Sequence, residues 1–185
     1  RPQVLPTALF NENNIIENHW ADAQVGFAIL LQTLADNNRS WAWTTVADVT
    51  IRNNVIRNST SGVNVLARVA YCEPKPTCTA PMPTNPTSRV LLQNNLFENV
   101  GRDPFSGASG IAVQLLSDLH DVTFVRNTFT CNCSMQKVIS LEGKAQTNGL
   151  LDNNIFGASA YGIATGGVPF GSFGLTLRNN VVPGV

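Results

Sequence analysis

Val49-Thr50-Ile51-Arg52-Asn53-Asn54-Val55-Ile56-Arg57-Asn58 reads as an apolar alternation, a pair of asparagines and a second apolar alternation. The same unit occurs six times along the 185 residues. The other clear copies are Asn13-Asn14-Ile15-Ile16-Glu17-Asn18, Leu91-Leu92-Gln93-Asn94-Asn95-Leu96-Phe97-Glu98-Asn99, Leu151-Asp152-Asn153-Asn154-Ile155-Phe156 and Leu175-Thr176-Leu177-Arg178-Asn179-Asn180-Val181-Val182. Val122-Thr123-Phe124-Val125-Arg126-Asn127-Thr128-Phe129 is a degenerate copy in which Arg126 replaces the first asparagine. The second asparagines (Asn14, Asn54, Asn95, Asn127, Asn154 and Asn180) follow one another at intervals of 40, 41, 32, 27 and 26 residues. Self-similarity of this kind is the mark of a repeat architecture.

Each interval holds a third strand, usually led by glycine. These are Gly26-Phe27-Ala28-Ile29-Leu30-Leu31, Gly62-Val63-Asn64-Val65-Leu66, Gly110-Ile111-Ala112-Val113-Gln114-Leu115 and Gly162-Ile163-Ala164, with Val138-Ile139-Ser140-Leu141 in the same slot without its glycine. One period is therefore three short strands with a tight turn between the second and third. Alternation of period two points one set of side chains inward. Asparagine tolerates the left-handed region and makes a sharp corner. Stacked copies then bond amide to amide up that corner. Six coils rising roughly 4.8 Å each give a rod about 25 to 30 Å long. The fold expected is all-β: a single right-handed parallel β-helix of about six coils over residues 1–185, with an Asn ladder and long loops between strands.

Composition narrows the function. Twelve Lys plus Arg balance twelve Asp plus Glu, and 13% of residues are charged, about half the usual share. That excludes the basic footprint a nucleic-acid binder needs. No apolar run approaches the roughly 18 residues of a membrane span. Four cysteines form two close pairs, Cys72/Cys78 and Cys131/Cys133, and allow three connectivities. A Cys72–Cys78 bridge staples a Pro-rich loop without distorting a strand. The spacing lacks the CxxC and His partners of a zinc site, so no metal and no cofactor is expected. Disulfides point to an oxidising compartment, extracellular or periplasmic.

The Gly-Ile-x-Val strand, the Val-Thr-Ile-Arg-Asn-Asn-Val-Ile-x-Asn unit and their order resemble right-handed parallel β-helix repeat proteins of the pectate-lyase-like class. The stretch Asn18-His19-Trp20-Ala21-Asp22-Ala23-Gln24-Val25-Gly26-Phe27-Ala28-Ile29-Leu30-Leu31 also resembles uncharacterised bacterial β-helix proteins, whose family implies no reaction. The first resemblance implies a polysaccharide lying along the sheet of Gly-led strands. The aspartate cluster of the β-helix polygalacturonases is not at matching positions here, nor are the calcium carboxylates and Arg or Lys base of the lyases.

With Phe27, Ile29, Val63, Val65, Ile111 and Val113 taken as core, the outer face of that sheet carries Ala28, Leu30, Gln32, Asn64, Leu66, Arg68, Ala112, Gln114, Leu116, Ser140, Glu142 and Ala164. Three leucines form an apolar stripe, and Arg68 and Glu142 are its only charges. Arg68, Gln114 and Glu142 are candidate sugar contacts. His19, Trp20 and Asp22 precede the first of these strands, and Arg102, Asp103 and Phe105 precede the strand two coils on. Two coils of rise set Asp22 and Asp103 roughly 10 Å apart, near the spacing of inverting glycosidases. They are the candidate acid and base, with Trp20, His19, Arg102 and Phe105 positioning sugar. Otherwise His19 and Trp20 pack under their loop and Asp103 pairs with Arg102. Trp41 and Trp43, two residues apart, stack on sugar or cap the coil. His120, between Asp118 and Asp121, occupies a short turn and caps it.

Neither end shows a capping helix, so the chain is expected to be an excerpt of a longer β-helix, or to lack its own caps and stack end to end with another copy. Two functions follow. One is a secreted polysaccharide-interacting protein, with hydrolase or lyase activity if it cleaves. The other is a non-catalytic structural, adhesive or fibre module assembling through coil ends and the leucine stripe.

Overall fold

A computed structural model describes residues 8–19, 26–36, 44–71, 83, 85–101, 110–131, 135–166 and 169–183. The first coil contains β1 (Leu9–Glu12), β2 (Ile15–Glu17) and β3 (Phe27–Asp36), and the second β4 (Ala47–Arg52), β5 (Val55–Ser59) and β6 (Ser61–Tyr71). The third contains β7 (Ser88–Gln93), β8 (Leu96–Val100) and β9 (Ile111–Leu116), and the fourth β10 (His120–Val125), β11 (Thr128–Phe129) and β12 (Lys137–Glu142). The fifth contains β13 (Gly149–Asp152), β14 (Ile155–Phe156) and β15 (Ile163–Ala164). A 3-10 turn at Phe170–Phe173 then leads into β16 (Leu175–Arg178).

Like strands stack into three parallel sheets. Sheet A is β1-β4-β7-β10-β13-β16, sheet B is β2-β5-β8-β11-β14 and sheet C is β3-β6-β9-β12-β15. All pairings are parallel. The protein is a parallel β-helix. No helix among the described residues is long and apolar enough to cross a membrane.

The paired asparagines divide two jobs between them. The first takes the left-handed conformation that turns sheet A into sheet B: Asn13, Asn53, Asn94, Asn153 and Asn179 have φ between 53° and 58°. Arg126 holds the same conformation at φ 56° in the degenerate copy, where a non-Gly residue costs about 1–2 kcal/mol. The second asparagine builds the ladder. From Asn14 to Asn180 each side-chain Nδ2 donates to Oδ1 of the next coil's asparagine, at 3.2, 3.0, 2.9, 3.1 and 2.9 Å. The same Oδ1 atoms also accept the backbone N–H of the preceding rung. A second, exposed ladder at the corner into sheet C joins Asn18, Asn58 and Asn99, all at positive φ.

The core is a set of columns. Val49, Val90 and Val122 stack in sheet A, as do Ile51, Leu92, Phe124 and Leu151. Sheet B contributes Ile56, Phe97, Phe129 and Phe156, all at most 1% exposed. Their rings stack, Phe97 on Phe129 at 4.3 Å and Phe129 on Phe156 at 5.1 Å. Fully burying one such side chain contributes about 1.5–3 kcal/mol.

Sheet C departs from the sequence-based alignment in two ways. Ile29 pairs with Val63, Val63 with Val113, and Val113 with Ile139. Gly62 therefore lies level with Ala28 and Ala112, whereas Gly26 and Gly110 fall two residues earlier. A slip of two keeps side-chain parity, so Val63, Val65 and Val113 are buried as expected. Ala112 and Ser140 keep their outward register positions but are fully covered, and Ala28 packs partly against the core. Val138 and Ile139 are consecutive and both 0% exposed, and both their N–H groups donate to the carbonyl of Gly162. The register with β9 runs from Lys137 to Glu142 without a shift, so no residue is inserted there and both faces of the strand are covered; the register shift of sheet C falls between Gln32 and Leu34.

Candidate functional site

The outer face of sheet C carries two columns. One runs Leu30, Asn64, Gln114, Ser140 and Ala164, and the other Gln32, Leu66, Leu116 and Glu142. The expected three-leucine stripe is thus split. Leu66 and Leu116 are half-buried neighbours, while the exposed Leu30 stands over Asn64. Asn64 Nδ2 donates to Gln114 Oε1 at 2.8 Å, so Gln114 lies in a cross-strand amide pair. Below it Ser140 Oγ donates to Glu142 Oε1 at 3.1 Å, and Lys137 Nζ donates to Ser140 Oγ at 3.4 Å. Lys137 and Glu142 approach to 4.0 Å.

Arg68, in β6, reaches Asp118 with a 2.6 Å ion pair and donates to the carbonyl of Pro83 at 3.3 Å. It is also one wall of a cleft of about 600 Å³ where sheet C hands over to sheet A. The remaining walls are Thr45, Asn85, Pro86, Ser88, Arg89, His120 and Asp121. His120, expected to cap a turn, contributes to this wall and stands level with Ser88 in the sheet. Parallel register also explains Arg89. It lies between Asp48 and Asp121 in adjacent coils, and all three have positive φ. Arg89 Nε and an Nη donate to the two carboxylate oxygens of Asp48 at 2.6 and 2.8 Å, and its other Nη donates to Ser88 Oγ at 3.3 Å. The Arg89 hydrogen bond holds the Asp48 carboxyl below the usual carboxylate range, and Asp48 raises Arg89 in turn. Asp121 Oδ1 accepts from Asn148 at 3.0 Å.

Asp48, Arg89, Asp121 and Asn148 each sit immediately before, or one residue short of, the apolar alternation of their own copy. Charged and polar residues at a constant offset in successive repeats must stack; that offset was the available signal for this cleft.

Of the other sequence candidates, Trp20, Asp22, Trp41, Trp43, Arg102, Asp103 and Phe105 lie outside the described residues, as do Cys72, Cys78 and Cys133. Cys131 packs half-buried against the core. His19 is half-buried just past the Asn18 corner, and its Nε2 is buried with no hydrogen-bond partner among the described residues. Burial lowers its pKa from the usual histidine value. A base held neutral by the fold stabilises it fully above its unfolded pKa of about 6.5, and that contribution fades as pH falls below this value. The urea midpoint is therefore expected to drop from about pH 7 to about pH 5, and His19→Gln to flatten that slope. An equal slope in both proteins would refute a role for His19.

No protein-family model, no curated protein and no solved structure matches the chain.

Proposed function

We propose that this is a polysaccharide-interacting β-helix protein of an extracellular or periplasmic compartment, with the glycan lying along sheet C and entering the corner cleft. The supporting observation is Arg68, two residues past Leu66 in β6 at the register shift, which lines the polar cleft next to a register-fixed row of amides and apolar side chains. Sugars present hydroxyl edges and apolar C–H faces. The Asn64–Gln114 pair offers hydrogen-bonding groups, and Leu66 beside Leu116 offers an apolar platform one coil-rise deep. Polar groups held in place by packed columns need little reordering on binding, which favours affinity. Cleavage, if it occurs, rests on Asp22 and Asp103.

A glycan panel scored for binding and for reducing-end release tests the reading. Arg68→Gln is expected to weaken binding about tenfold, the loss of a charge-assisted hydrogen bond. Asp22→Asn is expected to abolish any release while leaving binding by the sheet C face. A folded protein that binds no polymer on the panel would refute the proposal.

A further inference from the structure

We infer that the glycan this site takes is an uncharged, hydroxyl-rich polymer, not a polyuronate or a sulfated chain; the inference rests on the polysaccharide reading above. It follows from how the charges of the face and cleft are arranged. Arg68 is held by Asp118 at 2.6 Å. Arg89 is held by both oxygens of Asp48 and has Asp121 on its other side. Lys137 faces Glu142 through Ser140. Among the described residues of this surface, three cations thus meet four carboxylates, with no cationic excess.

An anionic polymer requires the opposite arrangement. Its carboxylates or sulfates gain most from guanidinium groups that no protein carboxylate already engages in the same bidentate manner. At this surface they would compete with Asp48 for Arg89 and lie against Asp121. Like charges set together cost binding energy, which is how surfaces reject wrong partners.

A sugar hydroxyl is both donor and acceptor, so it suits a paired ion cluster. A guanidinium has five N–H groups, and Arg89 directs three of them to Asp48 and Ser88. The remaining two suit a hydroxyl oxygen. Asp121 uses Oδ1 for Asn148, and its second oxygen suits a hydroxyl proton. Asn85, Thr45 and His120 extend the same mixed set around the cleft.

The experiment is affinity electrophoresis or calorimetry of the full chain against neutral polymers (a β-glucan, a galactomannan, a xylan) and acidic ones (polygalacturonate, alginate, chondroitin sulfate). It is run at about 0.01 M and about 1 M salt, between which the screening length falls from about 30 Å to about 3 Å. The expected result is binding to at least one neutral polymer, changing less than about twofold between the two salts, with no acidic polymer bound as tightly even at low salt. Asp118→Asn/Asp121→Asn is expected to gain acidic-polymer binding about tenfold, as two carboxylates leave the arginines behind. Asp121→Asn alone, which keeps a residue at ease with positive φ, gives a smaller gain if the double variant does not fold. Binding confined to acidic polymers and lost in salt would overturn the inference while leaving the proposed function standing. Equal binding of both classes at low salt, or no gain in a folded variant, would also overturn it. Binding to no polymer would overturn it together with the reading beneath it.

Discussion

Phe129→Ala is expected to destabilise the protein by about 3–5 kcal/mol, a large part of the total stability of an ordinary domain. Phe129 is 0% exposed and sits between Phe97 and Phe156, its ring stacked on both at 4.3 and 5.1 Å. Removing it deletes two stacking contacts, each worth about 0.5–1.5 kcal/mol beyond area, and opens a cavity between the rings that remain. How far such a cavity collapses sets the cost. Collapse is hard here because β8, β11 and β14 are locked in register on either side. Phe129→Leu keeps most of the volume but loses both stacks, and is expected to cost about 1–3 kcal/mol. Urea denaturation followed by far-UV circular dichroism measures both. A loss below about 1 kcal/mol for the alanine variant would mean that the stack relaxes around the gap and that the column does not govern stability.

The repeat made the fold readable because each coil restates it. Five asparagine pairs and one Arg126-Asn127 pair at matched positions fix the corner between sheets A and B, and the alternation on either side assigns the inward columns. Three features were hidden. The glycine-based alignment of sheet C slipped by two because Gly26 and Gly62 do different work. Gly26 adopts φ 66° at a corner. Gly62 sits where a Cβ would lie 2.3 Å from the carbonyl oxygen of Ala112. Sequence shows two glycines alike, and only the register tells a turn from a close approach. The burial of both Val138 and Ile139 was hidden for a related reason, since a run of apolar residues does not show whether a strand is covered on one face or on both. The corner cleft was missed because Arg89 and His120 come from different coils, with intervals of unequal length between them. Their meeting depends on stacking, although the constant offset of Asp48, Arg89 and Asp121 before each alternation carried the clue.

Asn127→Ala is expected to cost about 2–6 kcal/mol, from two buried polar groups losing partners at about 1–3 kcal/mol each. Asn127 is 0% exposed and is the middle rung in bonding terms. Its Oδ1 accepts both the backbone N–H and the side-chain Nδ2 of Asn95. Its Nδ2 donates to the Leu92 carbonyl and to Asn154 Oδ1. Alanine strands the Asn95 N–H and takes one donor from the Leu92 carbonyl in a region where water does not reach, since Asn95 is 2% and Leu92 0% exposed. Asn154 Oδ1 is less affected, because it keeps the Asn127 backbone N–H. A control separates the ladder from asparagine itself. Asn180 makes the same kind of bonds, to Asn154 and to the Leu151 carbonyl, but is only half-buried, so water replaces what Asn180→Ala removes and the cost falls to about 1 kcal/mol. The two variants, compared by thermal and urea unfolding, should differ several-fold in their loss. Equal losses would mean that burial does not set what a rung contributes. A larger loss at Asn127 would show that the ladder stabilises the coil by satisfying backbone groups that its own tight turn leaves without strand partners.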